Sequence, residues 1–232
     1  MSLPGSRSLC IVISAPSGAG KTTLCELLLK VFSGMRYSVS CTTRQPREGE
    51  QRGKNYIFLN KSEFEQKINR AEFLEYAQVH GHWYGTLRED IEKSLNEGHD
   101  VLMDIDVQGA SHIRQLILNG PASKLQNALI DIFVVPPDFN VLRSRLEQRG
   151  KDSKQNIETR LKTAHDEMKH LHDFQYVVVN DQLDEAFDQL KCIIKAEHCR
   201  VQSASERYLY MLTNYLIYQT DINCILYLGQ TP

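Results

Sequence analysis

Chemistry in this chain concentrates first in Ile11-Val-Ile-Ser-Ala-Pro-Ser-Gly-Ala-Gly-Lys21-Thr22-Thr23. A β-branched apolar run, a flexible turn and then Gly-Lys-Thr opening a helix is the arrangement that grips a nucleotide's phosphates. The backbone N–H groups of such a loop converge on a phosphate, and the helix behind it adds the positive end of its dipole. Lys21 then reaches the β/γ oxygens, and the Thr22 hydroxyl can coordinate Mg²⁺. Ala15 stands where the first glycine of this pattern usually falls. Alanine is acceptable there if its φ is negative, while Gly18 and Gly20 supply the close backbone approach. An ordinary Gly-rich strand–helix turn is the plainer alternative, but strand, loop, Lys-Thr and the helical spacing of Leu24, Leu27, Leu28 and Val31 all agree with the phosphate loop.

Further groups stand apart in sequence. Arg44 and Arg47 lie three apart in a Pro-flanked loop and present two guanidinium forks, enough to hold a second phosphate bidentately or simply to be solvated. Tyr56 and Tyr84 can add neutral hydroxyl donors. Glu75, within Phe73-Leu-Glu-Tyr-Ala, is either an edge charge facing water or a buried acceptor that needs donors. Asp104 ends an apolar strand, where a carboxylate can sit near Mg²⁺ or its waters; Asp106 suits a helix cap about as well as a ligand contact. Arg143, Arg145, Arg149 and Arg160 flank the break at Gly150, as a mobile basic lid or as surface charge.

The elements that must position these groups follow from periodicity. After the phosphate loop and its helix, Tyr37–Cys41 reads as a short strand, 42–53 as a loop with turns, and Tyr56–Leu59 as a strand. Ser62-x-x-Glu65 predicts a capped helix to about Asn69, Phe73–Val79 a strand, Trp83-Tyr84-Gly85 a turn, and Thr86-x-x-Glu89 a second capped helix ending at Gly98. Val101–Ile105, Leu129–Val135 and Phe174–Val179 read as buried strands. Helices are expected from about Gln108, after Asp138, through Ile157, Leu161 and Ala164, and from Leu183 to Ile194, with 151–156 a polar loop. Apolar strands alternating with amphipathic helices imply an α/β fold with a parallel sheet covered on both faces. Residues 37–85 differ in having short alternating strands, so they are expected to form an inserted small lobe between core segments 1–36 and 86–200.

With 232 residues, 41% of them hydrophobic, the chain can bury a full core, and its net charge of −2 gives no global basic field for nucleic acid. Six cysteines without C-x-x-C or metal-type spacing suggest a reduced, cytoplasmic protein whose thiols are buried small hydrophobes. The opening MSLPGSRSLC is too polar for a secretory signal, and no apolar run is long enough to span a bilayer. The His-x-His pairs at 80/82 and 170/172 lack companion ligands for zinc.

S-A-P-S-G-A-G-K-T, S-V-S-C-T-T-R-Q-P-R, G-K-N-Y, F-L-E-Y-A, W-Y-G-T and D-I-D-V-Q-G run in order from Ser14 to Gly109, within a match that extends from about residue 9 to residue 198. Together they resemble the guanylate kinases of bacterial type. The resemblance implies the P-loop nucleoside monophosphate kinase fold, with a small mixed α/β lobe for GMP and a lid at about 143–160. It implies Mg²⁺-dependent transfer of the γ-phosphate of ATP to GMP, and by extension dGMP. ATP would be held by Ala15, Pro16, Ser17, Gly18, Ala19, Gly20, Lys21, Thr22 and Thr23, with Asn180 nominated near the donor base. GMP would be held by Arg44, Arg47, Tyr56 and Tyr84 at its phosphate and by Glu75, Ser40 and Thr86 at guanine, with Asp104 and Asp106 between acceptor and metal. Lys21, Arg145, Arg149 and Arg160 would act on the migrating group. Glu75 suits guanine because N1–H and the 2-amino group are adjacent donors, whereas adenine carries no proton at N1. Two rivals are a related kinase with another acceptor and a scaffold domain that binds phosphopeptides; the intact Gly20-Lys21-Thr22 and the lid arginines favour the enzyme. A homo-oligomer is compatible with the sequence, and 201–232 is an extension to which the resemblance assigns no role.

Overall fold

The central strands of the larger sheet are buried on both faces, almost wholly by apolar side chains, and helices cover both. The structure is a computed structural model and describes residues 8–79, 81–119, 124–148 and 153–200. Strands β1 (Cys10–Ser14), β2 (Met35–Tyr37), β7 (Asp100–Asp104), β8 (Leu129–Val135) and β9 (Tyr176–Val179) form a five-stranded sheet in the order β2-β7-β1-β8-β9, parallel throughout. Helices α1 (Lys21–Val31) and α8 (Leu183–His198) close one face over Ile11, Ile13, Ile130, Ile132 and Val134. Helices α3 (Arg88–Asn96) and α4 (Val107–Asn119) belong to the opposite layer, over Cys10, Val12, Val101 and Met103. The apolar residues of α6 (Phe139–Gln148) and α7 (Lys154–Met168) pack on each other through Leu142, Leu146, Ile157, Leu161 and Ala164.

A second, four-stranded sheet has the order β4-β3-β6-β5, from β3 (Cys41–Thr42), β4 (Ile57–Phe58), β5 (Phe73–Val79) and β6 (His82–Leu87). Helix α2 (Lys61–Asn69) covers it, and Phe64 stacks on Phe73 at 4.4 Å between ring centres. Among the described residues no helix is long and apolar enough to cross a membrane.

Several sequence expectations change here. Tyr37 lies in the larger sheet, paired with Leu102, while Cys41 starts a separate strand of the smaller one. Trp83-Tyr84-Gly85 is strand, not turn; the reversal lies just before it, where Gly81 takes φ +81. Asn60, not Ser62, caps α2: its side chain accepts from Glu63 N, and the Glu63 carboxylate accepts from Asn60 N. Thr86 caps nothing, because its hydroxyl is committed to Glu75. Helix α7 starts at Lys154 with Ser153 as its cap, so the polar segment before it is shorter than expected. The short α5 (Lys124–Ala128) had no periodic signal to announce it. Cys10, Cys25 and Cys41 are buried as expected, but Cys192 and Cys199 are exposed. Cys224 and the rest of 201–232 lie outside the described residues.

Asp131 is a charge inside the apolar strand β8 and is 2% exposed. It survives burial because Arg114 donates to it at 2.6 Å and Gln175 N at 2.9 Å. Removing either charge would leave the other buried and uncompensated.

Candidate active site

A cavity of about 690 Å³ lies between the carboxyl ends of β1 and β7, the small sheet and helix α7. Open α/β sheets characteristically bind ligands at this end of their strands.

Its floor is the loop 15–20. Gly18 and Gly20 have φ of +98 and +95, conformations that L side chains rarely adopt. Ala15 is buried and is not among the positive-φ residues, which is the condition its presence requires. Side-chain packing fixes the loop from behind. A Cβ on Gly18 would meet Leu142 Cδ1 at 2.9 Å, and one on Gly20 would collide with the Asn180 amide. Asn180 Nδ2 donates to Ala19 O at 2.7 Å, and Asn180 N donates to Val135 O. Asn180, nominated for the donor base, is thus buried and spent on bracing the loop; neither it nor Ala19 nor Thr23 lines the cavity.

Lys21 Nζ lies 2.6 Å from Asp104 Oδ1 and donates to Ile105 O at 2.9 Å. Burial lowers the proton affinity of this ammonium, but the Asp104 carboxylate outweighs it and the pKa lies above its ordinary value. Thr22 and Asp104 both line the cavity. Among the described residues no cluster of three or more His, Cys, Asp or Glu side chains is arranged to hold a metal. A hydroxyl and one nearby carboxylate suit a hexacoordinate Mg²⁺ that takes its remaining oxygens from phosphate and water.

Arg44, Arg47, Tyr56 and Tyr84 form the wall on the small-sheet side. Arg44 is already organised: its terminal nitrogens donate to Glu50 Oε2 and Oε1 at 3.0 and 2.8 Å, and Nε to Tyr84 Oη at 3.3 Å. Its guanidinium lies 5.3 Å from the centre of the Tyr56 ring. The hydrogen bond from Arg44 holds the Glu50 carboxyl below its usual range, and Arg47 N, donating at 2.7 Å, adds to this. The sequence reading missed Glu50, although an acid six residues after Arg44 within one turn-rich loop is a visible signal.

Glu75 stands opposite Thr86 across the β5–β6 pair. The register shifts between Phe73 and Glu75, a bulge that re-aims successive side chains. Phe73 enters the small-lobe core, Leu74 the main core, and Glu75 the cavity. Glu75 is 6% exposed and accepts from Thr86 Oγ1 at 2.6 Å. Burial drives its pKa up to about 7; the Thr86 hydroxyl opposes this, and the nearby Asp106 charge reinforces it. Asp106 lines the cavity too and caps α4, accepting from Gly109 N at 2.9 Å, as the cap reading of the sequence expects. Ser40 lines the same cavity.

The lid arginines divide. Arg160 faces the cavity from α7, whereas Arg145 does not line it and donates to Asp181 O at 3.3 Å. Arg149 lies outside the described residues. Arg143 is paired with Glu158 on the exposed surface. The sequence reading also missed Glu167, seven residues beyond Arg160 on the same helix face. It lines the cavity, its pKa is driven to about 7 by burial against the pull of Lys21, and the Ser17 N–H lies within hydrogen-bonding reach.

The sequence model of the guanylate kinase family, described as "Guanylate kinase", matches residues 7–197. The guanylate kinase of Caldanaerobacter subterraneus subsp. tengcongensis is 42% identical over 203 residues, covering 88% of this chain and 94% of that protein. That of Dechloromonas aromatica is 45% identical over 185 residues, covering 80% and 87%. The crystal structure of guanylate kinase from Anaplasma phagocytophilum superposes with a TM-score of 0.67 at 30% identity, covering 85% of this chain and 90% of that one. Phosphate loop, paired guanidinium wall and buried acid thus occur together in a sequence and a fold that match along most of their length: the chain belongs to the guanylate kinase family.

Proposed function

We propose that this chain transfers the γ-phosphate of ATP to GMP, and to dGMP, giving ADP and the diphosphate, and that the residues around the cavity divide the work as follows. The observation that carries the reading is one cavity joining the phosphate loop to a buried carboxylate through a wall of arginine and tyrosine. Loop amides and Lys21 would hold the donor phosphates, for which Lys21 exchanges Asp104 for phosphate oxygen. Arg44, Arg47, Tyr56 and Tyr84 would hold the acceptor phosphate; the Glu50 brace keeps Arg44 in place before ligand arrives, which lowers the entropy lost on binding. Glu75, with Thr86, Ser40 and Asp106 beside it, would accept N1–H and the 2-amino group of guanine.

Mg²⁺ bound with ATP would be held by phosphate oxygens and the Thr22 hydroxyl, with Asp104 reaching it through water, and would neutralise charge on the β- and γ-phosphates. Arg160, which lines the cavity, would stabilise the migrating group; Arg145 would join it only by leaving Asp181 O, and the resemblance assigns Arg149 the same role. Positioning and charge neutralisation are sufficient here, because transferring a phosphoryl group needs little covalent assistance. The proposed division of the chain is a core of 1–36 and 86–200, a GMP lobe of 37–85 and a lid of about 143–160, with two edges adjusted: Tyr37 pairs in the core sheet, and β6 carries the lobe to Leu87. The separate small sheet and the mutual packing of α6 and α7 support it.

A coupled assay with ATP, Mg²⁺ and GMP, dGMP, AMP, CMP or UMP tests the reading. Turnover is expected with GMP and dGMP alone. Turnover with AMP but not GMP contradicts the guanine assignment, and tight phosphopeptide binding without any turnover contradicts an enzyme.

A further inference from the structure

Helix α4 begins beside Glu75, and its first turn carries Gly109. This glycine has no unusual backbone angle; what matters is the space its missing side chain leaves. A Cβ there would lie 2.6 Å from Glu75 Oε2, 3.1 Å from Glu75 Cδ and 3.4 Å from Asp106 Oδ1. The Glu75 carboxylate is thus seated between two fixed points. Thr86 holds Oε1 at 2.6 Å, and the bare face of Gly109 receives Oε2.

We infer that Gly109 is a specificity-determining positioning residue: its absent side chain sets where the Glu75 carboxylate lies, and so how well it meets two adjacent N–H donors of a purine. The inference rests on the guanine-reading role proposed for Glu75 and adds a residue that itself touches no base. The group in the way of a new methyl is the end of a side chain, not backbone. The fold can therefore accommodate alanine, a better helix former than glycine, by moving the acid. The acid has little room to move without leaving Thr86 or swinging into the cavity. Buried hydrogen-bonding sites discriminate by angle and distance, so a displacement near 1 Å is expensive for recognition and silent elsewhere.

The test is a double-mutant cycle on the full chain with Gly109→Ala and Glu75→Ala, titrating GMP and ATP separately by calorimetry and measuring thermal unfolding. Gly109→Ala is expected to weaken GMP by about tenfold or more, from misplacement alone, with ATP affinity unchanged. In the Glu75→Ala background the same substitution should cost no further GMP affinity, because the group it displaces is gone. Native-like GMP affinity in Gly109→Ala overturns the inference, as does an equal loss for ATP or an equal loss in both backgrounds. Should Gly109→Ala prove too unstable to titrate, Glu75→Ala/Gly109→Ala must recover stability; failure to recover places the clash elsewhere and overturns it too. If Glu75→Ala alone binds GMP normally, the guanine-reading role itself fails; a large Glu75→Ala loss beside a silent Gly109→Ala removes only the role of Gly109.

Discussion

The two ends of the cavity are built on opposite principles. The phosphate loop is one continuous stretch whose donors are mostly backbone, held in shape by Gly18, Gly20 and the Asn180 brace. The facing wall is assembled from Ser40, the loop 43–56 and side chains on β5 and β6, which come together only because the small sheet folds. Its two acids show how far local surroundings differ: Glu50, bonded to Arg44, is held below the usual carboxylate range, and Glu75, buried with only the neutral hydroxyl and backbone of Thr86 beside it, is driven up to about 7. A charge needed as a brace is paired in advance. The acid proposed to receive a ligand is buried beside neutral donors alone, at a cost in stability that a ligand's donors would offset.

The largest expected effect is at the loop. Lys21→Met should lower turnover by about 10³-fold, in line with losing a charge aimed at the transferring group, while thermal unfolding stays cooperative. Steady-state kinetics at saturating nucleotides check this, and near-native turnover would remove Lys21 from the phosphate-binding role. At the wall, Arg44→Ala should raise the KM for GMP by about tenfold to a hundredfold, the worth of charged hydrogen bonds, and leave the KM for ATP alone. Parallel changes in both constants would mean the two ends are not independent.

A pH series sharpens the contrast between the acids. Glu75 can meet two adjacent donors with both oxygens only when ionised, since protonation turns one oxygen into a donor, so GMP affinity should fall as pH drops through about 7, by up to about tenfold per unit, and Glu75→Gln should flatten this slope. The stability effect has the opposite sense. A carboxyl whose pKa is raised by folding favours the folded state at low pH, and that contribution is lost as pH rises from the ordinary carboxylate range through about 7. The ligand-free protein should therefore gain thermal stability from Glu75→Gln at pH 8 and little at pH 4. No pH-dependent gain would show that the acid is not desolvated in solution.

How legible these ends were in the sequence follows the same contrast. The loop, β1, β8 and β5 were readable because their residues are contiguous and their period is plain. The sequence reads a turn at Trp83-Tyr84-Gly85 because Gly85 looks like punctuation, although the two aromatics before it favour a strand; the turn itself sits at Gly81. Thr86-x-x-Glu89 satisfied a capping pattern whose hydroxyl tertiary structure had diverted to Glu75. Glu50 was within reach of a local reading, six residues after Arg44 in one loop, whereas the burial of Glu167 near Lys21 and the bulge that turns Glu75 inward depend on distant parts of the chain, so no local spacing announces them. Arg114 and Asp131 make the same point in the core, since a lone acid in an apolar strand gives no hint of its partner on a preceding helix.

The central claim is that Glu75 recognises guanine through two adjacent donors. Equilibrium binding of GMP, IMP and AMP to the native protein and to Glu75→Gln tests it most directly, because IMP keeps N1–H and lacks the 2-amino group. The native protein is expected to bind GMP best, IMP next and AMP worst, with this ladder collapsing in Glu75→Gln. An unchanged preference for GMP over AMP in Glu75→Gln would contradict the account.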